Sequence, residues 1–281
     1  MASLLVLWDV DHTLADTDGV GRHLYQLAFT EMFGRELPRP GSMAGRTDRA
    51  IALEVLTLAG VPEPRRQVRA FEAALAAHAP ALADLVRARA RALPGAAAAL
   101  SALAGGGALL DGAARADRAA RADGAARADG AARADGGQRG RLVVQSLLTG
   151  NIRALAEVKL GPLGLTEHLD LAVGAYGDAS EVRAELVPVA RGLAALAYGR
   201  DFGGEATVLV GDTPRDVEAA LVTGARAVGV ATGSYTAADL TAAGAHAVLD
   251  DLTDTPQVLA AILAAPVLSA RRRAARPEPG A

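Results

Sequence analysis

Apolar and polar positions follow two periods along this chain. Leu4–Trp8 is an unbroken apolar run that stops at two acids, Asp9 and Asp11. Short, mostly apolar runs return at Leu142–Leu148, Leu169–Val173, Thr207–Val210, Ala227–Val230 and Ala247–Leu249. Short runs without a polar face predict strands buried on both sides. Spacing near 3.6 residues predicts helices over Gly19–Phe33, after the loop Gly45-Arg46-Thr47-Asp48, and over Gln67–Leu93 with a break at Pro80. Further helices are predicted at Ala96–Leu103, Ile152–Leu163, Glu185–Tyr198 and Val217–Thr223. Strands alternating with helices predict an α/β fold, a parallel sheet with helices on both faces. Residues 17–92 contain no strand pattern and read as all-helical, which makes 1–16 and 93–266 a discontinuous core.

Two stretches stand outside this pattern. Within 105–141 a hexapeptide occurs four times (GAARAD, RAARAD, GAARAD, GAARAD), with no side chain larger than alanine for building a core. Asp-to-Arg pairs four apart would support a helix by a few tenths of a kcal/mol each. Each interior glycine withdraws about 1 kcal/mol. The balance favours a low-complexity linker inserted in the core, entering at the amino end of the strand beginning at Leu142. Residues 267–281, which include three consecutive arginines, read as a disordered basic tail.

Composition narrows the chemistry. There is no cysteine, so disulfides, thiolate nucleophiles and thiolate metal sites are excluded. A net charge of −3 gives no footprint for nucleic acid. No run approaches the ~18 apolar residues that cross a membrane, and the first residues lack a basic, signal-like region. The expectation is a cytoplasmic protein without nucleic-acid or membrane partners. The sequence is silent on oligomeric state.

In an open parallel sheet, sites form beyond the carboxyl ends of the strands. Three predicted strand ends bear polar groups there: Asp9 and Asp11; Thr149, Gly150 and Asn151; Asp212 and Asp216. Clustered carboxylates repel one another and call for a cation, and oxygen ligands without sulfur favour Mg2+. With the cation present, one aspartate becomes a usable nucleophile towards phosphorus. A second acid two residues on lies on the same side of an extended chain and can move protons.

These residues resemble a known family. DVDHTL is similar to the DxDxT signature of the haloacid dehalogenase-like hydrolases, LLTGN to their second motif and VLVGDTPRD to their fourth, in the family's order. The helical stretch between the first two motifs resembles the cap of the phosphoglycolate phosphatase and beta-phosphoglucomutase-like branch. The resemblance implies a Rossmann-like core with an inserted helical cap, and Mg2+-dependent hydrolysis of a small phosphorylated metabolite through an aspartyl-phosphate. It implies Asp9 as nucleophile and metal ligand. Asp11 would be the general acid/base, ligating metal through its backbone carbonyl. Thr149, Gly150 and Asn151 would be phosphoryl-binding, and Asp212 and Asp216 metal-holding. Arg46 and Thr47, in the loop opening a cap helix, are candidate substrate contacts beside the plainer reading of a loop with an N-cap. The third motif departs from the pattern. The family expects a cation, but Lys159, the only lysine, comes just ten residues after Thr149, inside the next helix. Arg183 stands nearer the expected place and takes the role. The alternatives are a phosphosugar mutase of the same family, and a catalytically silent binding protein whose support is the missing lysine.

Overall fold

The computed structural model describes residues 3–105 and 142–264. The repeat expected within 105–141, but for Gly105, and the expected tail at 267–281 lie outside the described residues. Strand β1 (Ser3–Trp8) is followed by the two-residue β2 (Ala15–Asp16). Four helices come next: α1 (Val20–Phe33), α2 (Asp48–Leu58), α3 (Pro64–His78) and α4 (Ala83–Arg89), with a single 3-10 turn at Ala79–Leu82. The chain returns through β3 (Arg91–Ala92), which pairs antiparallel with β2. Helix α5 spans residues 96–105. After it come β4 (Leu142–Leu147), α6 (Arg153–Leu160), α7 (Leu186–Tyr198), β5 (Thr207–Gly211), α8 (Pro214–Val222), β6 (Arg226–Val230), α9 (Ala237–Ala242), β7 (Ala247–Leu249) and α10 (Thr255–Leu263).

The five long strands form one parallel sheet in the order β4-β1-β5-β6-β7. Every residue of β1 is buried, because its alternate side chains enter two different cores. Leu4, Val6 and Trp8 pack with residues of α5 and α10 on one face; Leu5 and Leu7 pack with α7, α8 and α9 on the other. The helical insert has a core of its own, built on Leu24, Phe29, Val55 and Phe71. Helix α6 joins the two systems: Ala156 and Leu160 belong to the sheet core, Ile152 and Leu155 to that of the insert. The expected fold, a Rossmann-like parallel sheet with helices on both faces and an inserted helical cap, is the one observed, but the helix expected to reach Leu93 ends at Arg89, and Arg91–Ala92 forms β3, pairing with β2 where the chain returns to the core.

One expected strand is absent. Leu169–Val173 is apolar enough for a strand but folds into turns. The Asp170 side chain accepts from Ala172 N–H at 3.0 Å and the Asp170 carbonyl accepts from Val173 N–H, which closes the backbone before it can extend. Beyond it the segment keeps a single bridge, Leu148 to Ala175, beside β4.

Register decides where the site lies. Trp8 is level with Leu147 on one side and Val210 on the other. Asp9, Thr149 and Asp212, one or two residues further on, therefore emerge together at the carboxyl edge.

Candidate active site

Asp9, Asp212 and Asp216 are buried, with carboxylate oxygens within 4.8 Å of one another. Burial pushes the Asp9 acid up to about 6, Arg183 pulls against it, and Asp216 and Asp11 add to the rise. Burial and then repulsion from Asp9 and Asp216 push Asp212 up to about 9. Its side chain accepts a long hydrogen bond from Thr13 Oγ1 at 3.5 Å. Buried hard oxygen donors that repel one another fit a Mg2+ ion, and Asp212 is the least committed of them.

Arg183 is the cation facing this cluster. A 3-10 turn, Arg183–Glu185, sets it at the sheet edge ahead of α7. Its Nη2 lies 3.0 Å from Asp9 and 2.6 Å from Asp216. Desolvation opposes the charge, but Asp216 and Asp9 outweigh it and hold the guanidinium more firmly protonated than usual. Its buried Nε–H has no hydrogen-bond partner among the described residues. Asp216 serves two ends. One oxygen ion-pairs with Arg183, and the other accepts from Thr213 N–H (3.1 Å) and Thr213 Oγ1 (2.7 Å) at the start of α8. It is thus both a helix-start acid and the holder of the site's arginine.

Asp11 sits apart from that cluster. It accepts from Lys159 Nζ at 2.6 and 2.8 Å, from Asn151 Nδ2 at 2.8 Å and from Thr17 Oγ1 at 2.8 Å. Burial alone would raise its acid, but the Lys159 charge and these hydrogen bonds overcome it and hold the carboxyl below the usual range. Lys159, 3 % exposed, also donates to Asn151 Oδ1 at 2.8 Å. This corrects the expectation that Lys159 comes too early in the chain to reach the site. Asn151, Leu155 and Lys159 are spaced by four, so one helical face leads from the strand end back to the carboxylates. That spacing was the available signal. Among the described residues the site therefore has two buried cations, one for each aspartate of the first motif.

The second motif lies between them. Thr149 is buried, and its Oγ1 accepts from Asn151 Nδ2 at 2.8 Å. The Asn151 side chain thus joins Thr149, Asp11 and Lys159. The tight turn after β1 puts His12 at φ 57 and buries Thr13 completely. The structure divides the two cap-loop candidates. Thr47 is the N-cap of α2, accepting from Ala50 N–H at 3.2 Å and donating to the Glu181 carbonyl, so its hydroxyl is occupied structurally. Arg46 borders the cavity, but its guanidinium is ion-paired to Glu54 of α2. Asp9, Asp11, Arg46, Thr149, Asn151, Lys159, Arg183 and Asp212 line one cavity of about 260 Å3 between the insert and the sheet edge; Thr13, Thr47 and Asp216 do not. Tyr25, Ile51 and Leu155 supply apolar wall, and Arg22 and Asp48 further charge.

The comparisons follow the same lines. A family model described as HAD-hydrolase-like matches residues 185–255. No curated protein matches the sequence. In fold, the chain is similar to a predicted phosphatase from Clostridium acetobutylicum (TM-score 0.58, 14% identity, covering 92% of this chain and 99% of that one). It is also similar to a hydrolase from Pseudomonas syringae (TM-score 0.55, 18% identity, 91% and 96%). A third is a predicted phosphoglycolate phosphatase from Haemophilus somnus (TM-score 0.52, 14% identity, 92% and 98%).

Proposed function

We propose that this chain, haloacid dehalogenase-like in fold and in the sequence of residues 185–255, is a Mg2+-dependent hydrolase of a small phosphomonoester. The observation that carries the reading is the pairing of two aspartates, two residues apart, with two different buried cations. Asp9 faces Arg183 beside a carboxylate cluster; Asp11 faces Lys159 away from it. In this reading one acid attacks and the other moves protons.

In this reading Asp9, Asp212 and the Asp11 carbonyl would hold Mg2+, and Asp216 would support them through its ion pair with Arg183. When bound, the ion screens the charge between carboxylate and phosphate. The phosphoryl oxygens are met by Thr149 Oγ1, the Gly150 N–H and the free Nε–H of Arg183. An Asp9 oxygen attacks phosphorus, the bond to the ester oxygen breaks, and Asp11 passes a proton to the leaving oxygen. Asp11 carries that proton into the step, and the Lys159 charge 2.6 Å away holds the carboxylate it leaves behind. Asp11 then takes a proton from water as the water attacks the aspartyl-phosphate, which frees inorganic phosphate and restores Asp9. The held, ionised form of Asp11 suits this second step.

The silent-binder alternative rests on the missing lysine, and the pairs Lys159–Asp11 and Arg183–Asp9 speak against it. The test is phosphate release from a panel of phosphomonoesters with Mg2+ or with chelator. Metal-dependent release from at least one small ester is expected. Bound Mg2+ with no release from any would overturn the proposal.

A further inference from the structure

One buried ionisable group at the cavity takes no part in that chemistry. Asp48, the first residue of α2, is 4 % exposed. One carboxylate oxygen accepts from Ile152 N–H at 2.7 Å, and the other from Tyr25 Oη at 2.9 Å. Its own N–H donates to the Gly150 carbonyl at 2.6 Å, and the next, Arg49 N–H, donates to the Gly177 carbonyl at 3.1 Å. Among the described residues no cation lies within ion-pair distance of it. The backbones approach so closely that a Cβ on Gly150 would stand 1.9 Å from the Arg46 carbonyl oxygen. One on Gly177 would stand 1.7 Å from the Gly150 carbonyl oxygen. Only glycine fits at either place.

The segment so gripped is the one that carries Thr149, Gly150 and Asn151. Asp48 N–H holds it in the middle, and the Asp48 carboxylate holds its exit into α6. Tyr25 anchors the same carboxylate to α1. We infer that Asp48 is a positioning residue for the phosphoryl site: it fixes the Thr149–Ile152 loop in the arrangement that presents Thr149 Oγ1 and Gly150 N–H to substrate, and only while the helical insert is docked on the sheet edge. Lifting α2 breaks the bonds to Gly150, Ile152 and Gly177 together, so the loop is set by closure. Displacements well under 1 Å matter for such donors. The inference rests on the hydrolase reading for its turnover readout, but not for its structural one.

The test compares wild type, Asp48→Ala and Asp48→Asn. Turnover of p-nitrophenyl phosphate with Mg2+ is measured alongside melting temperature and amide hydrogen exchange at residues 149–152. Asp48→Ala is expected to lower kcat at least about tenfold with KM within about threefold, and to speed exchange at Ile152. Asp48→Asn keeps one oxygen for Ile152 N–H and should restore most of both. Wild-type kcat in Asp48→Ala, or a loss that tracks melting temperature and is not rescued by Asn, would overturn the inference. If wild type hydrolyses nothing, the hydrolase reading fails. The exchange data then decide the inference alone: faster exchange confined to the loop supports it, and unchanged exchange refutes it. Should Asp48→Ala fail to fold, Tyr25→Phe removes one donor to the carboxylate and leaves the bond to Ile152. It is expected to lower kcat by a smaller factor, and wild-type kcat and loop exchange in that variant would overturn the inference.

Discussion

Without divalent metal, raising the pH should lower the melting temperature of this protein, and Mg2+ should remove most of that dependence. Folding carries the Asp9 acid from 3.8 to about 6 and the Asp212 acid from 3.8 to about 9. In the unfolded chain both have lost their protons above about pH 4. The folded chain keeps one on Asp9 to about pH 6 and one on Asp212 to about pH 9. It thus binds more protons across that window, and stability falls as pH rises through it. Each proton of difference is worth about 1.4 kcal/mol per pH unit. Between pH 6 and 9 Asp212 withdraws at most roughly 4 kcal/mol, less to the extent that the neighbouring carboxylates share protons. At about 2–4 °C per kcal/mol, this is a fall of up to roughly 8–16 °C. With Mg2+ held, the folded state has no excess protons and the slope flattens. Mg2+ at about a hundred times its Kd adds a further ~2.7 kcal/mol. The assay is thermal unfolding in chelator and in Mg2+ across this pH range, with Asp212→Asn as control. The gain from Mg2+ should be larger at pH 9 than at pH 6 and be lost in the variant. An equal gain at both pH values, or none, would refute the assignment of these carboxylates as a cation site.

Arg183→Met leaves Asp9 and Asp216 without their cation, and the loss of one partner from a buried pair costs about 3–5 kcal/mol. The melting temperature should fall accordingly and be partly restored by Mg2+; an unchanged melting temperature would contradict the buried pairing. Lys159→Met removes the strongest holder of Asp11, and loss of effective acid–base action lowers rates by about 10²–10⁴-fold. A fall in kcat of that order with KM little changed is expected, whereas wild-type kcat would make Lys159 a packing residue. Replacing residues 111–138 by a short Gly/Ser link should leave turnover almost unchanged, because β4 starts at Leu142, at the end of the sheet remote from the site. Loss of folded protein would show that reasoning wrong.

The strands that carry the site were legible because runs such as LLVLW admit one reading: nothing in them can face water. In-register pairing then brings Asp9, Thr149 and Asp212 together without further information. Two things were not legible. Turn chemistry at Asp170 defeated an apolar run that propensity alone would extend. The partners of Asp11 and the grip of Asp48 depend on how helices pack on a strand edge, and linear spacing to a motif carries little of that. Lys159 shows the difference. Measured from Thr149 it stands in the wrong place, but measured along the face shared with Asn151 it points home. Arg46 and Thr47 show the converse: side chains of the right chemistry in the right loop are occupied by Glu54 and by the N-cap.

Attack of Asp9 on phosphorus is the step the hydrolase reading stands on. The most direct measurement is an acid quench of wild type during turnover of a good phosphomonoester, followed by digestion and mass analysis of the peptide containing Asp9. A phosphoryl group on Asp9 that requires Mg2+, with both label and release abolished in Asp9→Asn, is the predicted result. Release that continues in Asp9→Asn, or turnover that never labels that peptide, would contradict the account.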